Sequence, residues 1–282
     1  MDEANGRGRP RRSVLYAPAS NARALASAAG LASDVVVLDL EDSVAVEAKG
    51  MARDQAAAAV AERRFGEREV VVRINGPDTP WAEADFAAAV AAGADAILLP
   101  KVSGPADVER WAAAGAPLWA MIETCAGALG VREIARAATG TPLAAMVFGG
   151  NDLALEMRLR PAPDRAPMQP FLSMLVAAAR ESGLVALDGV FNGLDDLAGF
   201  EAECAQGAAF GFDGKTLIHP SQIEPCNRHF SPTPQEAAWA RAVVAAFAAP
   251  EAADKGALRL QGRMVERLHL KDAERVLRLL GA

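Results

Sequence analysis

Short apolar runs alternate with Ala-rich stretches of helical character along most of the chain. The runs fall at 14–17, 35–40, 70–75, 96–100, 118–123, 144–149 and 185–188, with the weakest at 208–212. Between them lie segments rich in Ala, Glu and Arg, around 21–29, 47–64, 81–92, 105–114, 129–137, 167–182 and 194–206, most of which end near Gly. Strands that alternate with helices form parallel βαβ units, and their strands read as continuous apolar runs because both faces are covered. Eight such units in roughly 200 residues predict an α/β fold of the (β/α)8 TIM-barrel type, since no GxGxxG turn follows the first strand to mark a doubly wound sheet. A C-terminal helical extension follows, with a Ser/Thr-Pro start at SPTPQEAAWARAVVAAF (231–247), a Gly-bearing turn and a last helix over 271–280. The expected organisation is a disordered basic leader over 1–11, a barrel over 12–220 and the extension over 221–282.

The second run breaks the pattern. VVLDLEDS (36–43) delivers Asp39, Glu41 and Asp42 from a stretch that reads as a buried strand. Buried carboxylates are costly unless paired or bound to a metal. Asp39 and Glu41 lie two residues apart, so strand alternation points both into the barrel mouth while Leu38 and Leu40 face the helices. Asp42 and Ser43 are expected to start the following helix.

Active sites of such barrels lie at the C-terminal ends of the strands. Polar residues that close the apolar runs are therefore candidates: Tyr16, Asp39, Glu41, Asp42, Arg73, Asn75, Lys101, Glu123, Asp152, Asp188 and Asn192. Glu123 ends WAMIE and Asp152 follows MVFGG, one βα unit later, which sets the two carboxylates side by side. Such a pair with open positions suits Mg²⁺, which takes few protein ligands; the alternative is that each acid caps a helix. Arg73 suits bidentate binding of a substrate carboxylate, or serves as counterion to Asp39 and Glu41. Lys101 is a substrate-binding cation, or a Schiff-base lysine whose nucleophilicity nearby carboxylates would blunt.

Composition narrows the function class. A net charge of −7 and 51% apolar residues describe a chain with a large core and no polyanion-binding face, so no nucleic-acid partner is expected. Three irregularly spaced cysteines exclude a disulfide framework or a CxxC zinc site. The sequence shows no apolar span of membrane length and a polar start, which predicts a cytoplasmic location. His219, His229 and His269 are lone histidines and none is read as a base.

Eight segments, in order, resemble the HpcH/HpaI aldolase and citrate lyase superfamily, in its branch of citrate lyase beta subunits, malyl-CoA lyases and citramalyl-CoA lyases. They are RSVLYAPASN, DVVVLDLEDSVAVEAKGMAR, VVRINGPDTPW, GADAILLPKV, MIETCAG, FGGNDLA, GFDGKTLIHPSQIEPCN and QGRMVERLHLKDAERVL, and they span nearly the whole chain. The resemblance implies a Mg²⁺-dependent carbon–carbon lyase that splits a 3-hydroxy acyl thioester, such as malyl-, citramalyl- or citryl-CoA, into a 2-oxo acid and an acyl-CoA. It places the metal carboxylates on Glu123 and Asp152, the substrate arginine on Arg73 and an acidic pair on Glu41 and Asp42, with Asp39 upstream. It makes Arg12, Lys49 and Arg53 candidates for contact with the CoA cofactor group. Two positions depart from the family pattern: Asn151 stands where a carboxylate is common, and Glu266, in MVERLH, stands for an Asp that relatives contribute to a neighbouring subunit's site as acid/base. The extension is therefore expected to pack on a neighbour in a homo-oligomer, a trimer. The alternatives are a citrate lyase beta subunit with alpha and gamma partners and a carrier-protein substrate, or a free-acid aldolase.

Overall fold

Eight parallel strands close into a barrel in sequence order in the computed structural model, which describes residues 9–249, 252 and 255–280. They are β1 (Ser13–Pro18), β2 (Val35–Asp39), β3 (Glu69–Arg73), β4 (Ala96–Leu99), β5 (Leu118–Ile122), β6 (Leu143–Phe148), β7 (Val185–Asp188) and β8 (Gly214–Leu217). Helices α1 (Ala22–Ala29), α2 (Lys49–Ala61), α3 (Ala82–Ala92), α4 (Pro105–Glu109), α5 (Cys125–Leu129), α6 (Val131–Arg136), α7 (Gly150–Glu156), α8 (Gln169–Glu181) and α9 (Leu197–Phe210) fill the crossovers, and α10 (Ile223–His229) follows β8. The expected barrel is present, and seven of its strands lie where the apolar runs put them.

The eighth does not. Residues 208–210 finish α9, and the closing strand is GKTL, which the apolar pattern hides because a lysine sits in it. Lys215 is fully buried and answered by Asp188 (3.1 Å) and Glu203 (2.7 Å). The charge is tolerated because its partners are within reach. Gly214 is required there: a Cβ would come within 1.9 Å of the Arg11 carbonyl oxygen, where β8 closes on the chain entering β1.

Strand alternation divides the core in two. Val14, Val35, Val37, Val71, Leu98 and Trp119 fill the barrel interior, while Leu15, Leu38, Val72, Ile97 and Leu118 pack beneath the helices. Leu38 and Leu40 lie in that outer layer, as their parity with Asp39 and Glu41 requires.

Residues 1–8 of the expected leader lie outside the described residues. Arg11, placed at the leader's end by its basic sequence, is instead buried and paired bidentately with Glu69 at 2.6 and 2.7 Å. The first compact unit also runs on to Phe230, beyond the boundary expected at 220, because α10 packs on α9, β1 and β8. The second unit begins at Ser231. It contains α11 (Pro234–Ala248), a hairpin of β9 (Ala257–Leu260) and β10 (Arg263–Glu266), and α12 (Arg267–Leu279), around Ala240, Val243, Phe247, Val265 and Ala273. Among the described residues no helix is long and apolar enough to cross a membrane.

Candidate active site

The C-terminal rim of the barrel opens into a cavity of about 390 Å³ lined by Tyr16, Asp39, Arg73, Glu123, Asp152 and Thr216, among others. The cluster is built outward from Arg73, the last residue of β3. Its guanidinium forms a fork onto Asp39 at the end of β2, with Nε donating to Oδ1 at 2.7 Å and Nη2 to Oδ2 at 2.8 Å. The register pairs these residues directly, Asp39 opposite Arg73. Nη1 donates to Asp42 at 3.3 Å, and the guanidinium lies 5.0 Å from the centre of the Tyr16 ring. Burial disfavours the charged forms of both Asp39 and Arg73, but each other's charge outweighs it: the aspartate falls below its usual range and the arginine rises above its own.

Glu41 is less well answered. Arg73 Nη1 approaches Oε2 to 2.8 Å, yet the geometry is not that of a hydrogen bond and Oε2 is buried without a hydrogen-bond partner. Burial, with the nearby charges of Glu123 and Asp42, outweighs Arg73 and pushes Glu41 up to about 8. Glu123, 1% exposed, is pushed up to about 7, first by burial and then by Asp152, against the opposing charge of Lys101. Two buried carboxyls that resist ionisation mark a site short of positive charge.

Glu123 and Asp152 do lie together, joined through Lys101. The Lys101 ammonium hydrogen-bonds to Asp152 Oδ1 and lies 3.5 Å from Glu123 Oε1, while the Lys101 backbone N–H donates to that same Glu123 oxygen at 2.8 Å. Burial lowers the lysine, but the bond to Asp152 and the charges of Glu123 and Glu41 prevail and hold it above its usual range. Gly149 makes room for Glu123: a Cβ would stand 2.3 Å from the Glu123 Cβ and 2.8 Å from Oε2. Among the described residues no group of three or more His, Cys, Asp or Glu side chains is arranged as a ready metal cage. Two hard oxygen donors beside an uncompensated Glu41 nonetheless fit Mg²⁺, which binds through one or two carboxylates and leaves its other positions to water and substrate.

Several expected site residues lie elsewhere. Arg12 precedes β1, at the barrel's opposite end, and its Nε and Nη2 bond Asp34, each at 2.8 Å. Lys49 is buried beneath the turn after β2, donating to the carbonyls of Leu40 (2.8 Å) and Glu41 (2.7 Å). Arg53 bonds Asp85 at 2.7 Å. Each cation is paired with an internal acceptor, and Lys49 fixes the acidic turn. Asn75 turns to α3, where it bonds the same Asp85 at 2.6 Å. Asp188 points behind the sheet, to Lys215 and Arg165. Asp42 and Ser43 do not start a helix: Ser43 bonds Asp39, and α2 begins only at Lys49 after a short 3-10 turn. Asn151 and Asn192 exchange amide hydrogen bonds at 2.7 and 3.3 Å across the loops after β6 and β7. Glu266, in the second unit, is the N-cap residue of α12, its backbone N–H bonded to His269 Nδ1 at 2.9 Å.

Thr216 of β8 and Ile218 just after it line the cavity and were not among the sequence candidates. They follow from placing the last strand at GKTL. Met121 lies below Glu123 and touches Arg73 Nη1 at 4.0 Å; its parity with Glu123 was the available signal.

Residues 12–220 match the family model described as HpcH/HpaI aldolase/citrate lyase. The chain is 47% identical over 270 residues to a (3S)-malyl-CoA thioesterase of Cereibacter sphaeroides, covering 95% of this chain and 94% of the relative. It is 34% identical to the citrate lyase subunit beta of Leuconostoc mesenteroides, covering 97% and 94%. Among solved structures it is similar to CitE of Mycobacterium tuberculosis in complex with magnesium, acetoacetate and coenzyme A, with a TM-score of 0.80, 34% identity and coverage of 97% and 98%.

Proposed function

Because the chain belongs to the HpcH/HpaI aldolase/citrate lyase family, a family of lyases acting on CoA thioesters, we propose that it reversibly cleaves a 3-hydroxy dicarboxylic acyl-CoA of the malyl type. The products are a 2-oxo acid and an acyl-CoA. The observation that carries the reading is that Arg73 and the under-compensated Glu123 line one cavity, with a second such carboxyl, Glu41, buried against Arg73.

Glu123 and Asp152 would hold Mg²⁺, which when bound supplies Lewis-acid polarisation of the 2-oxo acid's carbonyl oxygen. Arg73, fixed by its fork onto Asp39, binds the substrate carboxylate and arrives pre-oriented, so little ordering is left for the moment of binding. Breaking the carbon–carbon bond requires the hydroxyl proton to leave and the departing thioester carbon to gain one. Glu41, held neutral near pH 7, suits proton donation. Glu266, supplied by a second copy of the chain in a trimer, serves the other transfer. Asp42 shapes the mouth beside Arg73.

A second reading is hydrolysis of the same thioester, favoured by the 47% identity to a malyl-CoA thioesterase. Product analysis separates them. The protein is incubated with malyl-, citramalyl-, 3-methylmalyl- and citryl-CoA, with Mg²⁺ or EDTA, alongside Glu123→Ala. An acyl-CoA plus a 2-oxo acid identifies the lyase; free CoA plus the intact hydroxy acid identifies the thioesterase. Turnover unaffected by EDTA or by Glu123→Ala overturns the metal assignment. No turnover with any of the four overturns the CoA-thioester reading and favours a carrier-protein substrate with citrate lyase partners, or a free-acid aldolase.

A further inference from the structure

The position between Glu123 and Asp152 is taken by a cation that belongs to the chain. Lys101 reaches both carboxylates with its ammonium and holds Glu123 a second time through its backbone N–H. Its φ of 56° is left-handed, a conformation glycine or asparagine adopts more readily than a long side chain. Local backbone preference therefore does not select lysine here. Its surroundings do: Glu123 and Asp152, and Glu41 beyond them, are the charges that face it.

We propose that Lys101 is a tethered stand-in for the metal, keeping Glu123 and Asp152 in register while the site is empty and yielding to Mg²⁺ as it enters. The proposal rests on the assignment of Glu123 and Asp152 as metal carboxylates. Mg²⁺ would draw on the same two carboxylates, Glu123 and Asp152, that the ammonium now bridges. Two cations sharing one pair of carboxylates also repel at short range. The ammonium sits on a flexible four-carbon stem at the rim, with its side chain one-third exposed, so it can swing out without moving the backbone. Once displaced, it stands free at the mouth of the cavity, a positive charge released by the metal's arrival. The lysine is thus a positioning residue: it prevents two neighbouring carboxylates from splaying apart, and its departure makes metal loading an exchange of one cation for another.

Two measurements without substrate test this. The first is Mg²⁺ affinity by calorimetry for wild type, Lys101→Met and Lys101→Gln; removing the competitor is expected to tighten binding about tenfold, the scale of one charge-assisted contact. The second needs no variant: brief acetylation of the wild-type protein, read by mass spectrometry, with Lys271 as internal reference. Labelling of Lys101 is expected to rise severalfold when Mg²⁺ is added. This readout separates displacement from a mere gain in negative charge, which would tighten binding in the variants but leave Lys101 protected in the wild type. Unchanged labelling, or unchanged affinity in both variants, overturns the displacement while leaving the metal site standing. If neither wild type nor variant binds Mg²⁺, the metal assignment and the displacement fall together.

Discussion

Replacing Arg73 by methionine tests whether the site's architecture hangs on one guanidinium. Asp39 is 1% exposed and receives two hydrogen bonds from Arg73, at 2.7 and 2.8 Å. Hydrogen bonds to charged groups contribute about 1.5–3 kcal/mol each, so losing both removes about 3–6 kcal/mol. That agrees with the roughly 3–5 kcal/mol seen when one partner of a buried ion pair is deleted. Ser43 and the Glu41 backbone N–H still bond Asp39, which favours the lower half of the range. The expected loss at pH 7 is therefore about 3–4 kcal/mol, read as a shift in the urea midpoint at constant slope. The sign with pH follows from Asp39, whose folded pKa is depressed. Its stabilisation is present above the unfolded value and disappears as pH falls through the folded one, so the penalty of Arg73→Met should hold from pH 7 down to about pH 4 and shrink below it. The double variant Arg73→Met with Asp39→Asn should recover most of the loss, because no buried charge is then left alone. A penalty below about 1 kcal/mol, or one flat with pH, would show that the fork is incidental.

Other perturbations reach the remaining parts. Gly149→Ala sets a Cβ 2.3 Å from that of Glu123 and should displace the carboxylate, weakening Mg²⁺ binding about 10- to 100-fold in calorimetry; unchanged affinity would remove Glu123 from the metal site. Glu41 and Glu123 are raised, to about 8 and about 7, so the metal-free protein should lose melting temperature as pH rises from their ordinary value of 4.5 up to about 8, the reverse of the Asp39 case. Mg²⁺ should flatten that slope and release protons on binding near pH 6.5, seen as heats that vary with buffer ionisation enthalpy; buffer-independent heats would contradict the raised Glu123. Lys215→Met strips the counter-charge from Asp188 and Glu203 behind the sheet and should cost about 3–5 kcal/mol in denaturant unfolding; a near-neutral result would mean Arg165 alone compensates both acids.

What was legible in the sequence is what is local. Alternation along β2 placed Asp39 at the cavity, with Glu41 buried against Arg73, and Leu38 and Leu40 beneath the helices, and strand ends located Arg73, Lys101 and Glu123. What was hidden depends on partners far along the chain. Arg12, Lys49 and Arg53, which the resemblance offers as contacts for CoA, meet Asp34, the Leu40 carbonyl and Asp85 only after folding. The eighth strand was lost for the same reason: Lys215 is polar in the sequence and neutralised in the fold. Asp188 closes its apolar run, yet strand alternation turns it away from the mouth. Leu187 lies in the barrel interior, so Asp188 must face outward.

The closure of β8 on β1 also sets a timetable. On the edge of β1 away from β2, Ser13, Val14 and Leu15 pair with Lys215, Thr216 and Leu217. At a synthesis rate of about 5–20 residues per second, β1 leaves the ribosome about 10–40 seconds before the strand that covers its second edge. Throughout that interval SVLYAP offers an apolar, unpaired edge to any neighbouring nascent chain. The seam that completes the barrel is thus its last bond in time, and a chaperone's interest in this chain should end when GKTL emerges.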